Sequence, residues 1–557
     1  MTPVVSCHPR ERGDPSSEPR RTATNQVATD QRREMGPGIR GNDRMWRSAS
    51  TLMVVALLSA CTAGPNYRRP TDATPPAFKE AALAPGGTAW VPAAPGDALD
   101  KGAWWTLFGD PVLNDLCSRI EVSNQNVAAA AAAYFQARAL VREARAGYFP
   151  TLDITPAVTK SGGGGSAGTI ITSGGGVAGG GTTGTGTTGT AGNGTGTTGS
   201  TTLGTTGSGA RYRLTGGASW EPDLWGRVRR TVEQARGNAN ASAADLANAR
   251  LSAQSDLAID FLDVRALDAE IALVDQTGKS FDRALTITGN RYRAGVAAKT
   301  DLLQAQTQVA STRGDLAELV RQRAVLEHAV AVLAGQAPAT FVIQPVKWNP
   351  VVPAVPLEVP STLLERRPDI AAAERRVAAA NAGIGVEVAA YYPNLTLTGS
   401  VGQSATSLGN LFAGSSFLWS LGASLAQTVF NGGLTNARVT AARAVWQQSV
   451  ATYRQTVLAA LEDVEDQLAG TRQLAVTATL RQAASQAADQ TEQLTLNQYL
   501  AGQVDFTTVV TVQTTALTAR RTLVQALQTQ QTTAVSLVRS LGGTWATTRP
   551  GVALPAN

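Results

Sequence analysis

Residues 146–159 read AGYFPTLDITPAVT, and residues 389–402 read AAYYPNLTLTGSVG. Each is an aromatic–Pro step followed by partly alternating β-formers, the pattern of a strand entered from a turn. A second pair of segments repeats further on: RYRAGVAAKTDLLQAQTQ from Arg291, and QYLAGQVDFTTVVTVQTT from Gln498. Tyr292 maps to Tyr499 and Gly295 to Gly502 at an offset of 207, Ala218 to Ala423 at 205, and Phe149 to Tyr392 at 243. The extra 38 residues are a Gly/Thr tract in the first copy alone. A period near 200 is too long for a solenoid unit. It predicts two copies of one substantial unit, over 104–345 and 346–545, followed by a flexible tail at 546–557.

Each copy reads as two strands and several long helices. The first has strands at about 149–159 and 212–220, joined by 161–209, which is almost wholly Gly, Thr, Ser and Ala. That tract cannot bury a core and reads as a mobile loop. The second has strands at about 395–403 and 417–430 around a short Gly/Ser loop. Trp220, Trp225, Phe417, Trp419 and Tyr391-Tyr392 fall at strand ends, where a membrane-interface aromatic girdle would lie. Four strands are too few to close a barrel, so closure asks for further copies of the chain, three of them giving twelve strands.

The helices are unusually long. Gly226–Gly289 lacks Pro and carries Leu257, Phe261, Val264, Leu267, Ile271 and Val274 as an apolar stripe. Its 64 residues would span ~96 Å. Leu434–Tyr499 is its counterpart, and shorter helices are expected at Glu121–Ala146, Thr300–Ala334, Asp369–Ala390 and Thr507–Leu541. Two short helices end to end match one long one. The expected fold is therefore mainly α with a transmembrane β-barrel: an internally duplicated helical tunnel carrying four strands per protomer.

Composition and charge agree with such a wall without requiring it. Aromatics are 5% and charged residues 16%, and Ala, Thr, Gln and Gly abound. Small-residue helices suit close packing around a lumen, and an Ala-rich genome gives the same bias. The net charge is +6. Only +3 of it lies from Cys61 onward, with no basic patch interleaved with aromatics, which disfavours nucleic-acid binding. Cys7, Cys61 and Cys117 form no disulfide framework or zinc pattern, and Cys117 lies on an apolar helical stripe as a buried thiol.

Residues 45–61 read MWRSASTLMVVALLSAC: a positive start, a short apolar run and Leu58-Ser59-Ala60-Cys61. The run is too short for a membrane span. It resembles a lipoprotein signal peptide (45–60), which implies cleavage before Cys61 and covalent diacylglycerol and N-acyl groups on that residue. Residues 1–44 are Arg- and Pro-rich and precede a complete signal, so translation is expected to begin at Met45 or Met35. Residues 61–103 are rich in Pro, Ala and Gly and read as an extended, lipid-anchored tether.

Nothing points to catalysis or to a bound cofactor. His8 and His328 are the only histidines, and His328 lies on a helix with no Cys or carboxylate cluster around it in sequence. No GxSxG, P-loop or CxxC pattern is present.

The arrangement resembles the TolC-like outer membrane factors of tripartite efflux systems, and most of all their lipoprotein, NodT-like branch. Five segments in order carry the resemblance: Gly64-Pro65-Asn66-Tyr67 with Arg69-Pro70; Trp104-Trp105 with Phe108-Gly109-Asp110-Pro111; Trp220-Glu221-Pro222-Asp223-Leu224-Trp225-Gly226-Arg227; Leu363-Leu364-Glu365-Arg366-Arg367-Pro368-Asp369-Ile370; and Leu541-Gly542-Gly543-Thr544-Trp545. The resemblance implies a homotrimer in the outer membrane, a twelve-stranded barrel, a periplasmic tunnel of roughly 100 Å and passive transport. An inner-membrane pump and a periplasmic adaptor would be its partners. It also implies a periplasmic gate at the turns holding Tyr292 and Gly295, and Tyr499 and Gly502. Relatives close this gate with an Arg and an Asp. Here Leu500 follows Tyr499, and Thr511 stands where the Asp would fall, so closure is expected to rest on packing and hydroxyl contacts. A channel for type I protein secretion and a non-channel structural lipoprotein are the rival readings.

Overall fold

The element boundaries follow from local capping chemistry. A computed structural model describes residues 63–70, 78–80, 103–161, 209–353 and 366–543. Trp104–Phe108 forms a 3-10 turn, and Asp110 then caps helix α1 (Pro111–Ser123), accepting from the Val112 and Leu113 amides at 2.8 and 3.3 Å. Asn124 ends α1 and caps α2 (Gln125–Ala146) through its side-chain oxygen. The single helix expected from Glu121 is therefore broken, because Asn124 takes extended backbone between the two.

Strands β1 (Thr151–Ser161), β2 (Gly209–Trp220), β3 (Asn394–Ala405) and β4 (Phe417–Ala426) form one antiparallel sheet in the order β1-β2-β3-β4. Four strands appear where four were expected, with shifts at their ends, β1 running on to Ser161 and β3 spanning Asn394–Ala405. Phe149 and Pro150 stay outside β1, since the Phe149 amide closes the last turn of α2 onto the Ala146 carbonyl. β2 begins at Gly209 rather than Tyr212. β4 stops at Ala426, not at Phe430, because its partner Asn394 is the first residue of β3 and nothing continues the ladder. The tract 162–208 lies outside the described residues, as do the signal segment and Cys61.

Two helices of 67 residues follow the hairpins: α3 (Arg227–Arg293) and α6 (Leu434–Leu500). Each would measure ~100 Å. Each starts behind a left-handed glycine, Gly226 or Gly433, and ends in equivalent turns. The Val296 amide reaches Arg291 O at 2.9 Å, and the Gln503 amide reaches Gln498 O at 2.9 Å, around Gly295 (φ 72°) and Gly502 (φ 76°). Helices α4 (Lys299–Leu333) and α7 (Phe506–Ser540) return from these turns, and α5 (Pro368–Ala389) precedes β3.

The short helices stack end to end beside the long ones, as the length matching predicts. The seams are built alike in the two repeats. Asn124 Nδ2 donates to the Leu333 carbonyl at 2.8 Å, where α4 meets α2. Arg367 Nη1 donates to the Ser540 carbonyl at 3.2 Å, where α7 meets α5. A left-handed glycine closes each seam, Gly335 against Ser123 O and Gly542 against Arg366 O. The middle-segment signature thus has two parts: Pro368 and Asp369 start α5, and Arg367 ties it to α7 while pairing with Asp369 at 2.7 Å.

The main core lies beside these seams. Trp104, Trp105, Phe108, Leu113, Cys117 and Ile120 pack on Leu257, Phe261 and Val264 of α3 and on Val535 and Val538 of α7. The α3 stripe read from sequence is buried there, and burial pushes the Cys117 thiol pKa up. Beneath it, Arg265 donates to Asp110 and to the Gln344 carbonyl, and Arg323 to Asp268 and the Ile343 carbonyl, so the charges of this layer are paired.

The extended tether expected over 61–103 is corrected by the structure: its described parts are docked. The Ala63 amide bonds to Trp225 O at 3.0 Å. Arg230, 4% exposed, donates to Ala63 O at 3.1 Å and Asn66 Oδ1 at 2.9 Å, and it pairs with Glu233. Asn381 holds Pro65 O, and the Tyr67 phenol donates to Glu374. Further on, Phe78 is buried against Val464, Leu468, Leu537 and Leu541, and both oxygens of Glu465 accept the Lys79 and Glu80 amides. Pro and Gly richness signals only the lack of regular structure; it does not separate a free linker from a strap whose polar backbone finds partners.

Candidate functional site: a two-faced sheet and paired hairpin tips

Strand register sorts the sheet's side chains onto two faces, because successive residues alternate. Leu152, Ile154 and Val158 of β1 lie in register with Ala218, Leu214 and Tyr212 of β2 or their neighbours. The same face continues through Leu395, Leu397 and Val401 of β3 to Phe417, Trp419, Leu421 and Leu425 of β4. Most of it is exposed: Leu152 at 80%, Ile154 at 78% and Leu421 at 81%. The opposite face carries Thr151, Asp153, Thr155, Arg211, Arg213, Thr215, Thr396, Thr398, Ser400, Ser420 and Ser424. Ser400 and Ser420 share a hydrogen bond of 2.8 Å across β3 and β4. One face suits hydrocarbon and the other water, and neither packs on the helices. The outer edges of β1 and β4 have no partner strand among the described residues.

Aromatic side chains mark the helix-side end of the sheet, as expected. Trp225 stacks on Tyr392 with centroids 5.0 Å apart and donates from its indole to Pro393 O at 2.7 Å. The Trp220 indole donates to Tyr148 O at 3.0 Å. Asp223 accepts the Val228 and Arg229 amides and so starts α3 directly beneath this corner.

The hairpin tips lie at the far ends of α3 and α6. Tyr499 is buried and packs with Phe506 and Val509, joined by Ala305 of the other repeat. Tyr292, its sequence counterpart, is 38% exposed, so the two tyrosines are not equivalent in space. Leu500 is 66% exposed at the end of α6. The Thr511 hydroxyl donates to the Thr507 carbonyl at 2.9 Å within its own helix and reaches no other helix among the described residues. The two repeats meet through the Thr507 hydroxyl, which donates to Gln304 Oε1 at 3.2 Å, and through Arg291, whose guanidinium lies over the Tyr499 ring at 5.0 Å. Sequence reading missed Arg291; its one signal was a cation immediately before the repeated Tyr292. Above the tips, Arg520 binds Asp489 and Glu492, Arg521 binds Glu270, and Arg313 binds Asp282.

A row of carboxylates on α3 faces the space between α4 and α7. Asp256 pairs with Arg539, and Asp263 accepts from Gln528. Asp260 lines a groove with His328, and its pKa is pushed up to about 6 by burial first, then by Asp263 and Asp256. No group of His, Cys, Asp and Glu among the described residues is arranged to hold a metal ion. No described helix is long and apolar enough to cross a membrane.

This chain matches the family model described as outer membrane efflux protein over residues 116–336 and 359–543. It is 27% identical over 505 residues to the toluene efflux pump outer membrane protein TtgC of Pseudomonas putida, covering 90% of this chain and 96% of that one. It is also 27% identical over 480 residues to nodulation protein T of Rhizobium leguminosarum bv. trifolii, covering 85% and 92% of the two chains. Among solved structures, the outer-membrane channel OprN superposes with a TM-score of 0.73 at 27% identity, covering 87% of this chain and 100% of that one.

Proposed function

The chain belongs to the outer membrane efflux protein family, whose members place a β-barrel in the cell outer membrane above a periplasmic helical tunnel, and on that premise we propose that it is the passive, homotrimeric conduit of a tripartite pump that exports small molecules. The observation that carries the reading is the two-faced, four-stranded sheet. Among the described residues its apolar and hydroxyl faces are both uncovered and both its edges are unpaired, so the described protomer is incomplete as a membrane structure. Three copies pairing β1 to β4 would close twelve strands, apolar outward and hydroxyl inward.

The helices supply the rest of the path. Three pairs of ~100 Å hairpins are long enough to carry a tunnel from the barrel into the periplasm, where an adaptor and an inner-membrane pump would meet the tips. Driving force would come from that pump. The acyl groups proposed on Cys61 would sit two residues from Ala63, which Trp225 holds at the end of the sheet. The hairpin tips, with Tyr292, Gly295, Tyr499, Leu500, Gly502 and Thr511, are the proposed gate.

Purified protein in a planar bilayer should give discrete conductance steps, and co-expression with a cognate adaptor and pump should restore solute resistance to a channel-deficient strain. A protein that inserts as a monomer and gives no steps would rule the reading out.

A further inference from the structure

Helices α6 and α7 frame a groove of about 560 Å³ lined by Arg481, Thr511, Thr514, Thr515, Thr518 and Thr522 among others. The threonine hydroxyls donate back to carbonyls of their own helix, Thr511 to Thr507, Thr514 to Val510, Thr515 to Thr511 and Thr518 to Thr514, at 2.8 to 2.9 Å. The groove therefore shows methyl groups and neutral oxygens, with a single charge. Arg481 is exposed and has no ion-pair or hydrogen-bond partner among the described residues. The carboxylates nearest along the same hairpin are already engaged, Asp489 and Glu492 by Arg520 and Asp505 by the Thr508 amide. So the positive charge of Arg481 is uncompensated.

Both repeats turn at the same end of the molecule, so the threonine stretch has a counterpart in the first repeat. At the offset of 207, Thr511, Thr514, Thr515 and Thr518 correspond to Gln304, Thr307, Gln308 and Ser311, again uncharged and polar. On α6, the exposed apolar residues Val476, Leu480 and Leu494 lie roughly opposite the residues packed on α7. That is the lateral edge where another helix would pack. The groove opens between α6 and α7, and it shares the hydroxyl-rich chemistry of the sheet's polar face.

We propose that this groove lines the inner wall of the conduit and that Arg481 is its specificity-determining charge, favouring anionic and neutral solutes over cations. The inference rests on the conduit reading above. Threefold closure would set three Arg481 side chains around one lumen, and a ring of like charges at a narrow passage selects the opposite sign.

The test is the reversal potential of the purified trimer in a planar bilayer under a potassium chloride gradient, for wild type, Arg481→Gln and Arg481→Glu. Arg481 is exposed and unpartnered, so both variants should assemble as wild type does. Chloride should permeate better than potassium in wild type, about equally in Arg481→Gln, and less well in Arg481→Glu. Potassium preference in wild type, or the same reversal potential in all three proteins, would overturn the role of Arg481 and leave the channel intact. Absence of any conductance from assembled protein would overturn the conduit reading, and this inference with it.

Discussion

The guanidinium of Arg291 lies 5.0 Å from the ring centroid of Tyr499, clasping the tip of the first helical hairpin onto the tip of the second. Arg291 belongs to the last turn of α3 and Tyr499 to the last turn of α6, so the contact joins the two repeats. Tyr499 also packs on Phe506, with ring centroids 5.8 Å apart. Arg291 has Gln498 as its counterpart at the offset of 207, so the clasp occurs once per protomer.

Arg291→Ala should loosen the resting tips. A cation–π contact at a partly exposed site contributes ~0.5–1 kcal/mol, enough for a two- to fivefold change in a closed-to-open ratio. Resting conductance in a bilayer should rise by that order, while Arg291→Lys stays nearer wild type. Equal conductance in the alanine variant and wild type would show that the tips are held elsewhere.

The strap should be structural. Gly64 has φ 88°, and a Cβ on it would lie 2.4 Å from Gly385 Cα. Gly64→Val therefore cannot be absorbed without moving backbone. Arg230→Ala removes a buried donor to Ala63 O and Asn66 Oδ1, a loss of about 2–4 kcal/mol. Both variants should lower the temperature at which the assembled protein dissociates on a gel. Unchanged dissociation temperatures would mean that the strap merely rests on the helices.

The two seams should differ in tolerance although they are equivalent by position. Gly335 and Gly542 both have positive φ, so a side chain at either costs ~1–2 kcal/mol in backbone strain. A Cβ on Gly335 would also lie 2.1 Å from Ser123 O, against 3.1 Å from Arg366 O for Gly542. Gly335→Ala should then destabilise the protein clearly more than Gly542→Ala, as read by thermal unfolding. The reverse order would refute the close approach at the first seam.

The carboxylate row predicts a pH effect. Asp260 has its folded pKa raised to about 6 by burial and by Asp263 and Asp256, while His328 on α4 shares its groove and Arg539 and Gln528 on α7 bind its two acidic neighbours. An acid whose folded pKa exceeds its unfolded value of about 4 holds its proton more tightly when folded. Its contribution is favourable at low pH and is lost as pH rises through the window between about 4 and about 6. Asp260→Asn should raise thermal stability at pH 7.5 and change it little at pH 4. A variant less stable than wild type at pH 7.5 would place the ionised carboxylate in a favourable contact instead.

Much of this architecture was legible because it is periodic or locally capped. The repeats at an offset of 207, the stripe through Leu257, Phe261 and Val264, and the turns at Gly295 and Gly502 each depend on residues close in sequence. Boundary errors arose where a distant partner decides. β4 ends where β3 begins, and the helix expected from Glu121 breaks because Asn124 reaches Leu333, 209 positions away.

The sequence by itself determined two copies of a strand–helix unit, four strands and the long helical hairpins, because hydrophobic period, glycine turns and proline starts act over a few residues. Only the tertiary structure decided that residues 63–70 and 78–80 of the Pro-rich segment are docked, that Arg367 seals a seam, that Tyr292 and Tyr499 take different environments, and that Arg291 clasps the tips. Those facts depend on which side chains meet across more than 150 residues of chain. An amino-acid pattern read along one dimension carries no record of that meeting until the helices have packed.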